Sequence, residues 1–131
     1  MNTASWYQLL IKPSWAPPAW VFGPVWTVLY GIIIATFGMV FWRVWSGQIP
    51  YSVAIPFVLN IIFNLAFSPI QFGLQNNLLA AIDILAVLGT LIWALISIYP
   101  YMPLVTYVNI PYLVWVSFAT ILQLSITYLN F

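Results

Sequence analysis

Charged side chains are almost absent from this chain of 131 residues. Only Lys12, Arg43 and Asp83 carry a formal charge, so that 2% of the residues are charged and 65% are hydrophobic. A soluble domain is about a quarter charged. A water-facing surface built from this composition would expose apolar patches well beyond the few hundred Å² that soluble proteins show. The lack of charge therefore predicts an integral membrane protein.

Cysteine and histidine are also absent, which excludes several kinds of site. Without them the chain has no disulfides, no thiol chemistry, no ordinary zinc site and none of the usual proximal ligands of haem. A net charge of +1 gives no electrostatic basis for binding nucleic acid. Because no pairing of nucleophile and general base is visible either, we expect a binding protein without a cofactor rather than a conventional enzyme.

Long apolar segments, separated by turns rich in proline, glycine and asparagine, make up most of the chain. Each is long enough to cross a hydrocarbon core, which takes about 20 helical residues. The connectors are short, and short connectors make consecutive helices antiparallel neighbours. We therefore predict one all-α, multi-pass membrane domain over residues 1–131, an up-and-down bundle of four transmembrane helices. The predicted spans are residues 24–46, 51–73, 78–99 and 104–130.

Aromatic residues form 19% of the chain and fall into two groups. Trp42 and Trp45, at the end of a span, are typical of the aromatic belt at a membrane interface. Others recur at helical spacing within the spans, so that each set shares one helix face. Such a face can serve helix packing or can line a pocket, and the spacing alone leaves both interpretations open. The two sets are Trp26, Tyr30, Ile33 and Phe37, and Tyr112, Trp115, Ala119 and Gln123.

Uncharged amides within the second span favour a pocket. Asn60 and Asn64 share a helix face with Phe67, and amides at this depth must face protein or a cavity rather than lipid. One interpretation is that they hydrogen-bond between helices. The other is that they are the few polar anchors of an otherwise apolar ligand site. Asp83, about one turn inside the third span, is a candidate functional carboxylate, although a structural role near the helix start is the alternative.

Three sequence blocks resemble a known family. Residues 6–30 contain WYQLLIKPSWAPP followed by FGPVWTVLY, residues 60–73 read NIIFNLAFSPIQFG, and residues 111–120 read PYLVWVSFAT. These blocks are similar to the signature motifs of the translocator protein family, also called tryptophan-rich sensory proteins or peripheral benzodiazepine receptors. The resemblance extends over essentially the whole chain.

The resemblance implies a helical membrane bundle, commonly dimeric, that binds porphyrins, sterols or isoquinoline- and benzodiazepine-type drugs within the bundle. Porphyrins are the first expectation, and free porphyrin is favoured over haem because the chain lacks histidine and cysteine. Alternatives are a light-dependent porphyrin-degrading activity and a small transporter that uses Asp83, which matches an acidic position kept by some members. The pocket residues carried over by motif, together with Asn64 from the polar face, are Trp26, Tyr30, Asn60, Phe67, Trp115 and Ala119.

The segment before the first span resembles the family's pocket lid. The lid is predicted over residues 1–23, and residues 6–18 within it are expected to be extended rather than helical, because proline fixes φ and disfavours a helix. The expected lid residues are Trp6, Tyr7, Trp15, Pro17 and Pro18. The family has five spans, one of them before this segment, so we expect the missing wall of the bundle to come from a partner, most simply the second subunit of a homodimer embedded in lipid.

Overall fold

The described part of the chain is a bundle of helices. A computed structural model describes residues 14–16, 19–70, 74 and 76–130. Within these ranges there is no strand, and a short 3₁₀ helix, Ala19–Val21, precedes five α-helices. The α-helices are α1 (Phe22–Trp45), α2 (Tyr51–Ser68), α3 (Asn77–Ile98), α4 (Pro103–Val108) and α5 (Ile110–Leu129). The prediction of an all-α membrane bundle is confirmed.

Three of these helices, α1, α3 and α5, are long and apolar enough to cross a membrane, and α2 is a shorter apolar helix. The helix ends follow from local chemistry. Gly47 adopts a φ of 81° in the turn after α1, a conformation that glycine adopts without a steric penalty. Pro50 is extended and precedes α2. The Asn76 side chain accepts a hydrogen bond of 2.9 Å from the backbone N–H of Leu79 and so caps the start of α3.

The fourth predicted span, residues 104–130, is divided into α4 and α5 at Asn109. Pro111 explains the division, because proline has no N–H to continue the helix and its ring clashes with the carbonyl four residues earlier. The Asn109 side chain donates to the Val105 carbonyl oxygen at 2.8 Å and to Thr36 Oγ1 at 3.0 Å. The bond to Thr36 therefore attaches the break between α4 and α5 to α1.

Side-chain pairs establish the antiparallel order of the helices. Phe37 of α1 meets Phe57 of α2 edge to face, with ring centroids 4.7 Å apart. Between α3 and the last two helices, Thr106 donates to the Leu95 carbonyl at one end and Thr127 donates to the Asn77 carbonyl at the other. Helix α3 occupies the middle of the bundle and packs against both α2 and α5. The core therefore lies along α3, and α1 closes one side.

Candidate functional site

A cavity of about 290 Å³ opens between α1, α2, α3 and α5. It lies at the end of the bundle where α1 and α3 begin. Most of its wall is apolar, and none of the lining residues that the structure describes carries a formal charge. The lining residues are Phe22, Gly23, Trp26, Tyr30, Asn64, Phe67, Ile84, Val87, Trp115, Ala119, Leu122, Gln123 and Ile126.

Most of the predicted pocket residues meet in this cavity. They come from three helices: Trp26 and Tyr30 from α1, Asn64 and Phe67 from α2, and Trp115 and Ala119 from α5. Asn60 is the exception. It is fully buried and its side chain amide donates to the Val87 carbonyl at 2.9 Å, so it points toward α3 rather than into this cavity.

Aromatic rings from α1 and α5 form much of the cavity wall. On α1, the Trp26 and Tyr30 rings are 5.5 Å apart at an interplanar angle of 34°. Trp115 of α5 meets Phe22 of α1 edge to face, with ring centroids 5.7 Å apart. The indole Nε1 of Trp115 is buried and has no hydrogen-bond partner among the described residues, although a buried N–H is normally paired.

A chain of hydrogen bonds leads from the cavity wall into the bundle. The Tyr30 hydroxyl donates to Asn64 Oδ1 at 2.9 Å, and Asn64 Nδ2 donates to the Tyr112 hydroxyl at 2.7 Å. The Tyr112 hydroxyl then donates to Asn60 Oδ1 at 2.8 Å. The amides therefore form hydrogen bonds between helices, and this chain of bonds links α1, α2 and α5. Asn64 also lines the cavity, and its role as a polar anchor for a ligand stays a prediction.

Gln123 supplies polar groups at the end of the cavity near the start of α3. Its side chain Nε2 donates to Thr127 Oγ1 at 3.1 Å and to the Asn77 carbonyl at 3.3 Å. These bonds hold the last turns of α5 against the first turn of α3. Gln123 shares the helix face of Trp115 and Ala119 in the sequence, and this spacing is the signal that identifies it as a lining residue.

Of the predicted lid residues, only Trp15 is described, and Trp6, Tyr7, Pro17 and Pro18 lie outside the described residues. The Trp15 ring meets Phe118 edge to face at 5.6 Å, and Phe118 in turn lies 5.5 Å from Trp115. Trp15 does not line the cavity, and 47% of its side chain is exposed. Trp15 therefore packs against Phe118, which in turn packs against the lining residue Trp115.

Asp83 lies on the buried face of α3 but does not line the cavity. Its Oδ2 atom is buried and has no hydrogen-bond partner among the described residues. Two further contributions from α3, Ile84 and Val87, do line the cavity. Sequence reasoning missed them because aliphatic residues on α3 cannot be distinguished by type from those that pack only against other helices.

Fold and cavity together define a class: a multi-pass α-helical membrane protein with an aromatic, uncharged cavity inside the bundle. The family follows from comparison with known proteins. The model of the TspO/MBR family matches residues 1–129, and the chain belongs to that family. The predicted family resemblance is confirmed.

Curated relatives come from bacteria and animals. The tryptophan-rich protein TspO of Bacillus cereus is 36% identical over 126 residues, which cover 96% of this chain and 81% of the relative. The TspO of Chlorobaculum tepidum is 33% identical, covering 97% of this chain and 81% of the relative. The human translocator protein is 36% identical, covering 90% of this chain and 70% of the relative. Membership of this family supports a role as a membrane receptor or binding protein.

Proposed function

We propose that this protein binds planar, mostly apolar molecules within its helix bundle, and that porphyrins are the preferred class. The observation that carries the proposal is the cavity, whose walls include Trp26 and Trp115 and whose described lining has few polar groups. Ligand pockets typically combine an apolar body with a small number of placed polar groups. Aromatic walls stack on a planar ring system, and such ring pairs add stabilisation beyond the area they bury.

Two polar features orient the ligand. The hydrogen-bonded pair of Tyr30 and Asn64 in the lining places polar groups beside the ligand's edge. The described lining residues include no cation to pair with a carboxylate, so the propionates of a porphyrin remain near the exposed Gly23, where water and headgroups solvate them. The macrocycle lies inside and its charged groups lie outside.

Metal-free porphyrin is expected to bind at least as tightly as haem. The sequence contains no histidine or cysteine, and among the described lining residues Tyr30 is the one side chain of a type that serves as an axial ligand of haem iron. Its hydroxyl already donates to Asn64. Stacking and shape therefore provide the affinity, rather than a bond to iron.

Tryptophan fluorescence tests the proposal directly, because two tryptophans line the cavity. Purified protein in lipid nanodiscs is titrated with protoporphyrin IX and, in parallel, with haem, and free N-acetyltryptophanamide corrects for absorption by the porphyrin. We expect saturable quenching, with protoporphyrin IX at least as tight as haem. An isoquinoline carboxamide or a sterol should compete if it uses the same cavity. Quenching that does not saturate, or that matches the free-tryptophan control, would rule out the proposal.

Assembly as a homodimer remains a prediction. The mass of the protein in mild detergent and its cross-linking in lipid measure this directly, and a monomer in both would contradict it.

A further inference from the structure

Both amide hydrogens of the lining residue Gln123 are used by groups that do not line the cavity. An amide Nε2 group has two hydrogens, and Gln123 donates to Thr127 Oγ1 at 3.1 Å and to the Asn77 carbonyl at 3.3 Å. The seam that these bonds join lies between α3 and α5 of the chain itself, and Gln123 is 4% exposed. The surroundings of Gln123 therefore do not depend on a further span or on a partner subunit.

The hydrogen-bond network fixes which way the Gln123 amide faces. The Thr127 hydroxyl has a single hydrogen, which it donates to the Asn77 carbonyl at 3.0 Å. Toward Gln123 the Thr127 oxygen must therefore accept, as the Asn77 carbonyl oxygen must. Both groups require a donor from Gln123, because a flipped amide would set its oxygen against two acceptors. The amide nitrogen therefore faces the seam, and the amide oxygen faces away from it.

The Oε1 atom of Gln123 is left as a hydrogen-bond acceptor. It makes no hydrogen bond with a described residue, and it is not among the fully buried side-chain atoms of the described residues that lack a partner. It therefore keeps some accessible surface. Because Gln123 lines the cavity and is otherwise buried, that surface faces the cavity.

We propose that Gln123 is a specificity-determining residue of the cavity, and that its Oε1 atom selects planar ligands with an N–H or O–H donor at the rim. The inference rests on the proposed function, because it concerns the same cavity. A ligand without such a donor covers the acceptor and leaves it buried without a partner, which costs free energy. A ligand with an oxygen at that point of its rim is disfavoured further, since two acceptors then meet.

Carbazole and dibenzofuran are matched probes of this acceptor. Both are planar, apolar tricycles of nearly the same shape, and dibenzofuran has an oxygen where carbazole has an N–H. Binding of each tritiated compound is measured directly in lipid nanodiscs, with empty nanodiscs subtracted and unlabelled protoporphyrin IX as a competitor for the cavity. The measured quantity is the Kd of dibenzofuran divided by the Kd of carbazole.

Gln123→Met keeps the length of the side chain and removes the acceptor. The probes partition into lipid equally for every variant, so a change in the Kd ratio reports on the protein. We expect the ratio to fall by about fivefold, the factor that one net hydrogen bond contributes. Thr127→Val is the matched control, because it breaks a bond of the same seam while the Asn77 carbonyl still holds the Gln123 amide. For this variant we expect an unchanged ratio.

Gln123→Asn remains informative if Gln123→Met fails to fold, because it keeps an amide and withdraws the oxygen by one methylene. We expect the Kd ratio to fall in this variant also. A ratio that no folded variant of Gln123 changes would overturn the inference. An equal fall in Thr127→Val would overturn it too, since the effect would then come from packing along the seam.

The same measurements separate this inference from the proposed function. If the ratio depends on Gln123 but protoporphyrin IX does not displace carbazole, the preference for porphyrins fails and the acceptor stands. If protoporphyrin IX quenches the tryptophans saturably but neither probe binds, the acceptor fails and the proposed function stands.

Discussion

Tyr112 makes a sharp test of the hydrogen-bond chain that links three helices. It is fully buried, and its hydroxyl takes part in two hydrogen bonds, accepting from Asn64 Nδ2 at 2.7 Å and donating to Asn60 Oδ1 at 2.8 Å. Tyr112→Phe removes the hydroxyl while keeping the ring, so it leaves almost no cavity and isolates the polar contribution.

The expected loss follows from counting these bonds. Two interhelical hydrogen bonds, at an average of about 0.6 kcal/mol each, give a lower estimate of about 1.2 kcal/mol for the loss in the free energy of unfolding. The substitution also leaves one amide hydrogen and one amide oxygen buried without this partner, and an unsatisfied buried group costs about 1–3 kcal/mol. Asn60 keeps its bond to Val87 and Asn64 keeps its bond to Tyr30, which limits this penalty. We therefore expect the free energy of unfolding to fall by about 1–3 kcal/mol.

The assay is reversible unfolding in mixed micelles with increasing dodecyl sulfate, followed by circular dichroism. Tyr128→Phe is the control, because Tyr128 is 83% exposed and its substitution should leave the unfolding midpoint unchanged. If the losses for Tyr112→Phe and the control differ by less than about 0.3 kcal/mol, half of what an average interhelical hydrogen bond contributes, this chain of hydrogen bonds does not stabilise the fold.

Other predictions concern ligand binding and its kinetics. Trp26→Ala and Trp115→Ala should each weaken protoporphyrin IX binding by about 1–3 kcal/mol, because each removes an aromatic wall. Trp42→Ala, at an exposed position near the end of α1, should not, and equal losses at all three positions would indicate general destabilisation. Trp15→Ala should speed ligand release, since Trp15 supports Trp115 through Phe118. The exposed Trp20 provides the matched control, and identical dissociation rates for Trp15→Ala and Trp20→Ala would contradict that support.

The sequence predicted much of the cavity because its determinants are local. Helical spacing places Trp26 and Tyr30 on one face of α1, and Trp115 and Ala119 on one face of α5, whatever surrounds them. Amides inside a membrane span must point inward, which identified Asn60 and Asn64 as inward-facing residues. Spacing along one helix cannot show which inward-facing residue meets a neighbouring helix and which meets empty space. For that reason the sequence alone does not separate Asn60, whose amide is bonded to α3, from Asn64, which lines the cavity.

The composition alone determined that this chain is a helical membrane protein. With three formal charges and long apolar segments, hydrocarbon is the one solvent that fits, and helices satisfy every backbone hydrogen bond within one segment. The tertiary structure decided what the packing leaves open. The cavity depends on how far apart helices lie whose facing residues are distant in the chain. That separation is set by the fit of many side chains at once, which no single stretch of sequence encodes.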